Sequence, residues 1–213
     1  IVAAIEKAGY KPGEDFKIAI DAASSEWWDE EQKIYVQPKS GKKLTQQQLV
    51  NMWKKFADTY PIVSLEDGMG ENDWEGWQLM TRRLGHRIQI VGDDLFTTNI
   101  RRVAYGVTKG AANTILLKVN QIGTISEALE MIQYAYKFGY AVMPSDSRGE
   151  GEAIADYAVG INAGSVRECG IGPRANRFME IEAELGKTAK FLGARGLKGF
   201  KNQQRADALE RKE

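Results

Sequence analysis

Hydrophobic patterning predicts an α/β fold built on a parallel sheet, and three observations carry that reading. Apolar runs of β type begin near Phe16, Ile62, Ile88, Thr114, Tyr140 and Ser165, the last four intervals being 26, 26, 26 and 25 residues. Amphipathic stretches with apolar residues at steps of three and four fill the gaps. A carboxylate or a lysine closes four successive runs. Short strands alternating with such helices wind into a parallel sheet through right-handed crossovers. A closed (β/α)8 barrel has eight such units in typically about 250 residues. Six units are visible in 213 residues, so the expectation is the last six βα units of a TIM-type barrel, with two more upstream. Other doubly wound sheets share the alternation, and in both architectures the C-terminal strand ends carry the chemistry.

Each element follows in order. Val2, Ala3 and Ile5 lie at helical spacing and Gly9 suits a C-cap, which predicts the last turns of a helix and, with no methionine before it, a fragment of a longer protein. Phe16-Lys17-Ile18-Ala19-Ile20 reads as a strand closed by Asp21. Residues 29–41, polar with Pro38 and Gly41, predict an excursion such as a small hairpin or surface loop. Leu49, Val50, Met52, Trp53 and Phe56 mark a helix, and Ile62-Val63-Ser64-Leu65 a strand closed by Glu66. Trp74, Trp77, Leu79 and Met80 mark the next helix, and Ile88-Gln89-Ile90-Val91-Gly92 a strand closed by Asp93. Ile100, Val103 and Ala104 precede Thr114-Ile115-Leu116-Leu117, closed by Lys118. Ile125, Ala128, Leu129 and Ile132, then Ile154, Ala155, Tyr157 and Ala158, mark the helices before and after the run at Tyr140. Residues 1–192 are read as the barrel domain and 193–213 as a polar tail, helical on the surface or disordered.

Composition narrows the class. At 43% hydrophobic and 27% charged the chain has the make-up of a globular domain with a real core. Lys+Arg and Asp+Glu are both 29, so no bulk field draws it to nucleic acid or to an anionic membrane. No apolar run approaches the roughly 20 residues of a membrane span, and the first residues lack a signal-peptide layout. The single cysteine, Cys169, excludes an internal disulfide and a cysteine metal cluster. A cytoplasmic location is the expectation.

Side chains at the same end of neighbouring parallel strands converge on one volume. Asp21, Glu66 and Asp93 would there form a set of hard oxygen donors suited to Mg²⁺ and poorly suited to zinc or copper. Any one of them alone reads better as a cap of the following turn; three in succession favour a metal. Asp94 should point away from Asp93 if the strand continues. Lys118, partly desolvated beside a dication, could accept a proton, and a salt bridge to Asp93 or Glu66 is an equal alternative. Asn120 and Gln121 read as polar loop groups. Cys169 has no identifiable histidine partner, since His86 precedes its strand and belongs to the far end; a packed thiol is the better reading.

Ile20-Asp21-Ala22-Ala23-Ser24-Ser25-Glu26, Ser64-Leu65-Glu66-Asp67 with Asp73-Trp74-Glu75-Gly76-Trp77, Gln89-Ile90-Val91-Gly92-Asp93-Asp94-Leu95 with Thr98-Asn99, and Leu116-Leu117-Lys118-Val119-Asn120-Gln121-Ile122-Gly123 resemble, in this order, the barrel domain of the enolase family. The similarity runs on through Ile181-Glu182-Ala183-Glu184-Leu185. It implies a Mg²⁺-dependent hydro-lyase of glycolysis, converting 2-phosphoglycerate to phosphoenolpyruvate. In that scheme Asp21, Glu66 and Asp93 hold the metal and Lys118 is the base. The resemblance also implies a homodimer, a small phosphorylated carboxylate as substrate, and an N-terminal domain upstream.

Two places depart from the family. Where enolases carry Ser-His-Arg-Ser-Gly-Glu, this chain has Ser145-Asp146-Ser147-Arg148-Gly149-Glu150. Arg148, assisted by Ser147, is the candidate phosphate ligand, or else pairs with Asp146 or Glu150 in a surface turn. Asp146 opposes a phosphate unless a cation intervenes. Where the family has a substrate-contacting lysine, Gly164-Ser165-Val166-Arg167-Glu168-Cys169-Gly170 offers Arg167, or a simple pair with Glu168 or a helix-end carbonyl. A phosphonate or other 2-substituted carboxylate is therefore an alternative substrate, and a non-catalytic subunit or binding surface the alternative class.

Overall fold

The computed structural model describes residues 1–146, 149–197 and 199. Helix α1 (Val2–Lys7) stops at Ala8, and Gly9 follows at φ 85°, as its place after the last turn requires. Strand β1 (Ile18–Asp21) leads through a 3-10 turn, Ser24–Trp27, into β2 (Trp28–Asp29), β3 (Ile34–Val36) and β4 (Lys43–Leu44). These three pair antiparallel, so the polar excursion is a small three-stranded sheet rather than a single hairpin or a loop. Its buried plug is Tyr35.

Helix α2 (Gln46–Thr59) opens on a complete capping box of Thr45 and Gln48. Strand β5 (Ile62–Glu66) precedes α3 (Trp74–Leu84), capped by Asp73; β6 (Gln89–Gly92) precedes α4 (Ile100–Lys109), capped by Asn99 and ended at Gly110. Strand β7 (Thr114–Leu117) continues into the single turn α5 (Val119–Ile122) and then α6 (Ile125–Lys137), capped by Thr124. Strand β8 (Ala141–Pro144), α7 (Ala153–Gly160) and α8 (Gly172–Leu185) follow.

Strands β1, β5, β6, β7 and β8 form one parallel sheet in that order, a partial (β/α) barrel. The sixth expected strand, near Ser165, is reduced to one bridge between Ser145 and Arg167. Two local features explain the loss. Glu168 takes a left-handed backbone at φ 62°, which ends an extended run. Gly164 meets residue 196 so closely that a Cβ there would lie 1.8 Å from the Gly196 carbonyl oxygen. The tail is partly seen: Gly193–Gly196 is a 3-10 turn, and residues 200–213 lie outside the described residues.

The period-two alternation of strands sorts the core. Ile90, Ile115, Leu117 and Val142 join the main cluster under the helices. Val91, Leu116 and Met143 form a separate small cluster on the opposite face. Asp93, Lys118 and Ser145 stand two residues beyond these, so strand geometry carries them to that inner face. Among the described residues no helix is long and apolar enough to cross a membrane.

Candidate metal and catalytic centre

Backbone register aligns the carboxylates. Asp21 sits beside Glu66 across the β1–β5 pairing, and Glu66 beside Val91 across β5–β6. Asp21 is exposed; Glu66, Asp67, Asp93 and Lys118 are buried. Burial of four ionisable groups at one end of a sheet is costly unless they compensate one another, and here Lys118 and Arg167 compensate part of the charge. The Lys118 ammonium lies against Asp93 Oδ2, Gln121 Nε2 donates to Asp93 Oδ1 at 2.8 Å, and Arg167 Nη1 stands 3.9 Å from Asp93 Oδ2. Arg167 also spans the other pair, Nη1 to Glu66 Oε1 at 2.7 Å and Nη2 to Asp21 Oδ2 at 2.8 Å.

The ion pair expected as an alternative for Lys118 is therefore present, with Asp93 rather than Glu66. Its backbone N–H donates to Thr98 Oγ1 at 2.9 Å, and the Thr98 hydroxyl donates to Gln121 at 3.0 Å. Gln121, read from sequence as a loop group, is thus part of the centre. The α5 turn that lifts it there directly follows the lysine. Arg167 does not settle for Glu168, 3.8 Å away, or for a helix end; it crosses to strands β1 and β5.

Asp21, Glu66 and Asp67 offer oxygens mutually within 4.8 Å, and so do Asp67, Asp93 and Asp94. Asp67 joins the two groups, and its sequence signal was only its place next to Glu66. At φ 43° its backbone turns left-handed, and its carboxylate accepts the Asp93 and Asp94 amides at 3.1 and 3.0 Å. Asp94 does not point away from Asp93. Strand β6 ends at Gly92, and the amides of Phe96 and Thr97 turn back onto the Asp93 carbonyl, so strand alternation no longer applies.

Too little positive charge faces these acids. Burial above all, aided by Asp21 and Asp93, pushes Glu66 up to about 8 despite Arg167 and Lys118. Burial likewise holds Asp67 well above the usual carboxylate range, against the two amides it accepts. The donors are carboxylate oxygens with no imidazole or thiolate among them, and they already carry cationic side chains. That chemistry fits a hard divalent cation and could hold one.

The loop following β5 is pinned from outside. Trp53 Nε1 donates to the Gly68 carbonyl at 2.8 Å and Trp77 Nε1 to the Gly70 carbonyl at 3.0 Å, while the Gly70 amide donates to the Tyr35 hydroxyl at 2.9 Å. Tyr35 in turn donates to Asp73, the α3 cap. The antiparallel sheet thereby helps to set the segment that carries Asp67.

At the end of β8, Ser147 and Arg148 lie outside the described residues. Asp146 is described: it accepts the Gly149 and Glu150 amides at 3.2 and 3.1 Å and pairs with Arg174 of α8. Burial works against its charge, but Arg174 and the amides hold it below the usual range. The cationic partner of Asp146 is thus Arg174, a residue that strand-end reasoning passed over because it stands in the first turn of a helix. The Ser145 hydroxyl is fully buried and has no hydrogen-bond partner among the described residues. Cys169 is buried, its thiol donates to the Arg167 carbonyl at 3.3 Å, and burial pushes its pKa up, as suits a packed thiol. His86 lies just before β6, at the opposite end of the sheet from the carboxylates.

Compared with known protein families, residues 1–200 match the family model described as the enolase C-terminal TIM barrel domain.

Proposed function

This chain belongs to the enolase C-terminal TIM barrel domain family, and from that premise we propose that it carries the metal and base half of an enolase-type lyase centre. The observation behind the proposal is the Lys118 ammonium, buried against Asp93 at the strand ends that also bear Glu66 and Asp21. Asp21, Glu66 and Asp93, with Asp67 between them, would hold Mg²⁺. A bound dication supplies electrostatic stabilisation of the charge that develops on a substrate carboxylate when its α proton is removed.

The residues do the rest. Lys118 would take the α proton on Nζ from its neutral amine form, after the ammonium has given up a proton; its stem is walled by the sheet, and its backbone is fixed by Thr98. Gln121 holds Asp93 by one oxygen, leaving the other directed at Lys118. Loss of the β hydroxyl as water, with its proton from a general acid beyond the residues assigned here, then completes conversion of 2-phosphoglycerate to phosphoenolpyruvate, with Arg148 and Ser147 as proposed phosphate ligands.

A second reading has one specific support. Asp146, where the family resemblance leads one to expect histidine, is neutralised by Arg174, so the phosphate end is wired differently. The same proton abstraction on a phosphonate or another 2-substituted carboxylate suits that wiring.

One experiment separates these readings. The protein should bind Mg²⁺ and exchange the α proton of 2-phosphoglycerate with deuterium from solvent, followed by NMR. Lys118→Ala should abolish exchange and leave metal binding intact. Exchange without elimination supports the second substrate reading, whereas metal binding with neither reaction refutes both and leaves a non-catalytic role.

A further inference from the structure

Arg167 is held from both sides. Its amide donates to the Pro144 carbonyl at 2.9 Å and its backbone bridges to Ser145, which ties it to the end of β8. Glu168, directly after it, keeps a left-handed backbone at φ 62°, a conformation that non-glycine residues adopt only where the surroundings enforce it. From this anchor the guanidinium bridges carboxylates of two different strands, 2.7 Å to Glu66 and 2.8 Å to Asp21, with its side chain 26% exposed.

We propose that Arg167 is an internal counter-cation that occupies the Asp21–Glu66 carboxylate pair and competes with a divalent ion for it. The inference rests on the reading of that pair as metal ligands. A Mg²⁺ ion demands oxygens at about 2.0–2.1 Å in near-octahedral array, and Arg167 donates to oxygens of the same two carboxylates. A guanidinium cannot relieve the competition by losing its proton; it keeps one oxygen of each carboxylate and its full positive charge beside the ion unless it moves. Glu168, 3.8 Å from Nη2 and 43% exposed, offers it a partner on the solvent side. A lysine in this place would keep the charge but grip one oxygen at a time, since only the planar fork spans two carboxylates at once. Metal affinity in this chain is thus set partly by the strength of its own arginine bridge.

The test is calorimetric titration of the metal-stripped full-length protein with Mg²⁺, alongside Arg167→Lys and Arg167→Gln. Affinity should rise from wild type through Arg167→Lys to Arg167→Gln, the last by roughly tenfold or more, since one charge-assisted hydrogen bond is worth about that much. Thermal unfolding gives a second readout: saturating Mg²⁺ should raise the midpoint of Arg167→Gln more than that of wild type. If Arg167→Gln does not fold without metal, Arg167→Lys carries both measurements. Variants that bind no tighter than a wild type that does bind overturn the proposal and leave the metal site standing. Absence of Mg²⁺ binding in all three proteins refutes the metal reading, and this proposal with it.

Discussion

Replacing Lys118 with methionine removes one partner of a buried ion pair and keeps most of the side-chain volume. Both side chains of the Lys118–Asp93 pair are 8% exposed, so water cannot take over the solvation of the remaining carboxylate. Breaking such a pair from one side costs about 3–5 kcal/mol. Two features of the centre favour the low end. Gln121 keeps its hydrogen bond to Asp93 Oδ1, and Arg167 stands 3.9 Å away. The expected loss for Lys118→Met is therefore about 3 kcal/mol. Adding Asp93→Asn removes the stranded charge and should restore most of the loss, since an uncharged buried pair replaces an ionic one at little net cost. The assay is urea denaturation in EDTA, followed by tryptophan fluorescence, for wild type, both single variants and the double variant. A Lys118→Met loss below about 0.5 kcal/mol, or strictly additive single losses, would refute the argument that the pair is desolvated and mutually dependent.

Two further outcomes follow from the same electrostatics and packing. The folded protein holds a proton on Glu66 up to about pH 8 that the unfolded chain releases near its ordinary value of 4.5. Metal-free stability should therefore fall as pH rises between those values and level off above them. Glu66→Gln should flatten that slope and exceed wild type at pH 8 to 9, and a Glu66→Gln curve parallel to wild type in thermal melts would contradict the assignment. Tyr35→Phe leaves buried Asp73 and the Gly70 amide each short of one partner, at an expected cost of about 1–3 kcal/mol in denaturant unfolding. Because the tyrosine also fixes the segment between Asp67 and Asp73, its loss should raise the hydrogen exchange of the Gly70 amide above that of the β6 amides; unchanged protection would count against that role.

The sequence by itself determined the alternation of strand and helix, the ends at which chemistry-bearing residues stand, and the family. These are legible because they are local. Period-two and period-3.6 burial follow from backbone geometry over a few residues. The inner-face placement of Asp93 and Lys118 belongs to the same class, since each stands two residues past a buried inward residue.

Only the tertiary structure decided how those ends are wired. Arg167 reaches Glu66 across 101 residues of sequence and Asp21 across 146, and no local pattern favours those partners over Glu168 beside it. Asp67 becomes the shared member of two carboxylate groups because its backbone turns left-handed where β5 meets the end of β6. The sixth strand shrinks to a bridge because residue 164 has to admit the carbonyl of residue 196. Arg174 meets Asp146 because α8 returns to the end of β8. Charge partners are selected by distance in the folded chain, where burial makes each unpaired charge expensive, and that distance exists only once the sheet has brought its strands together.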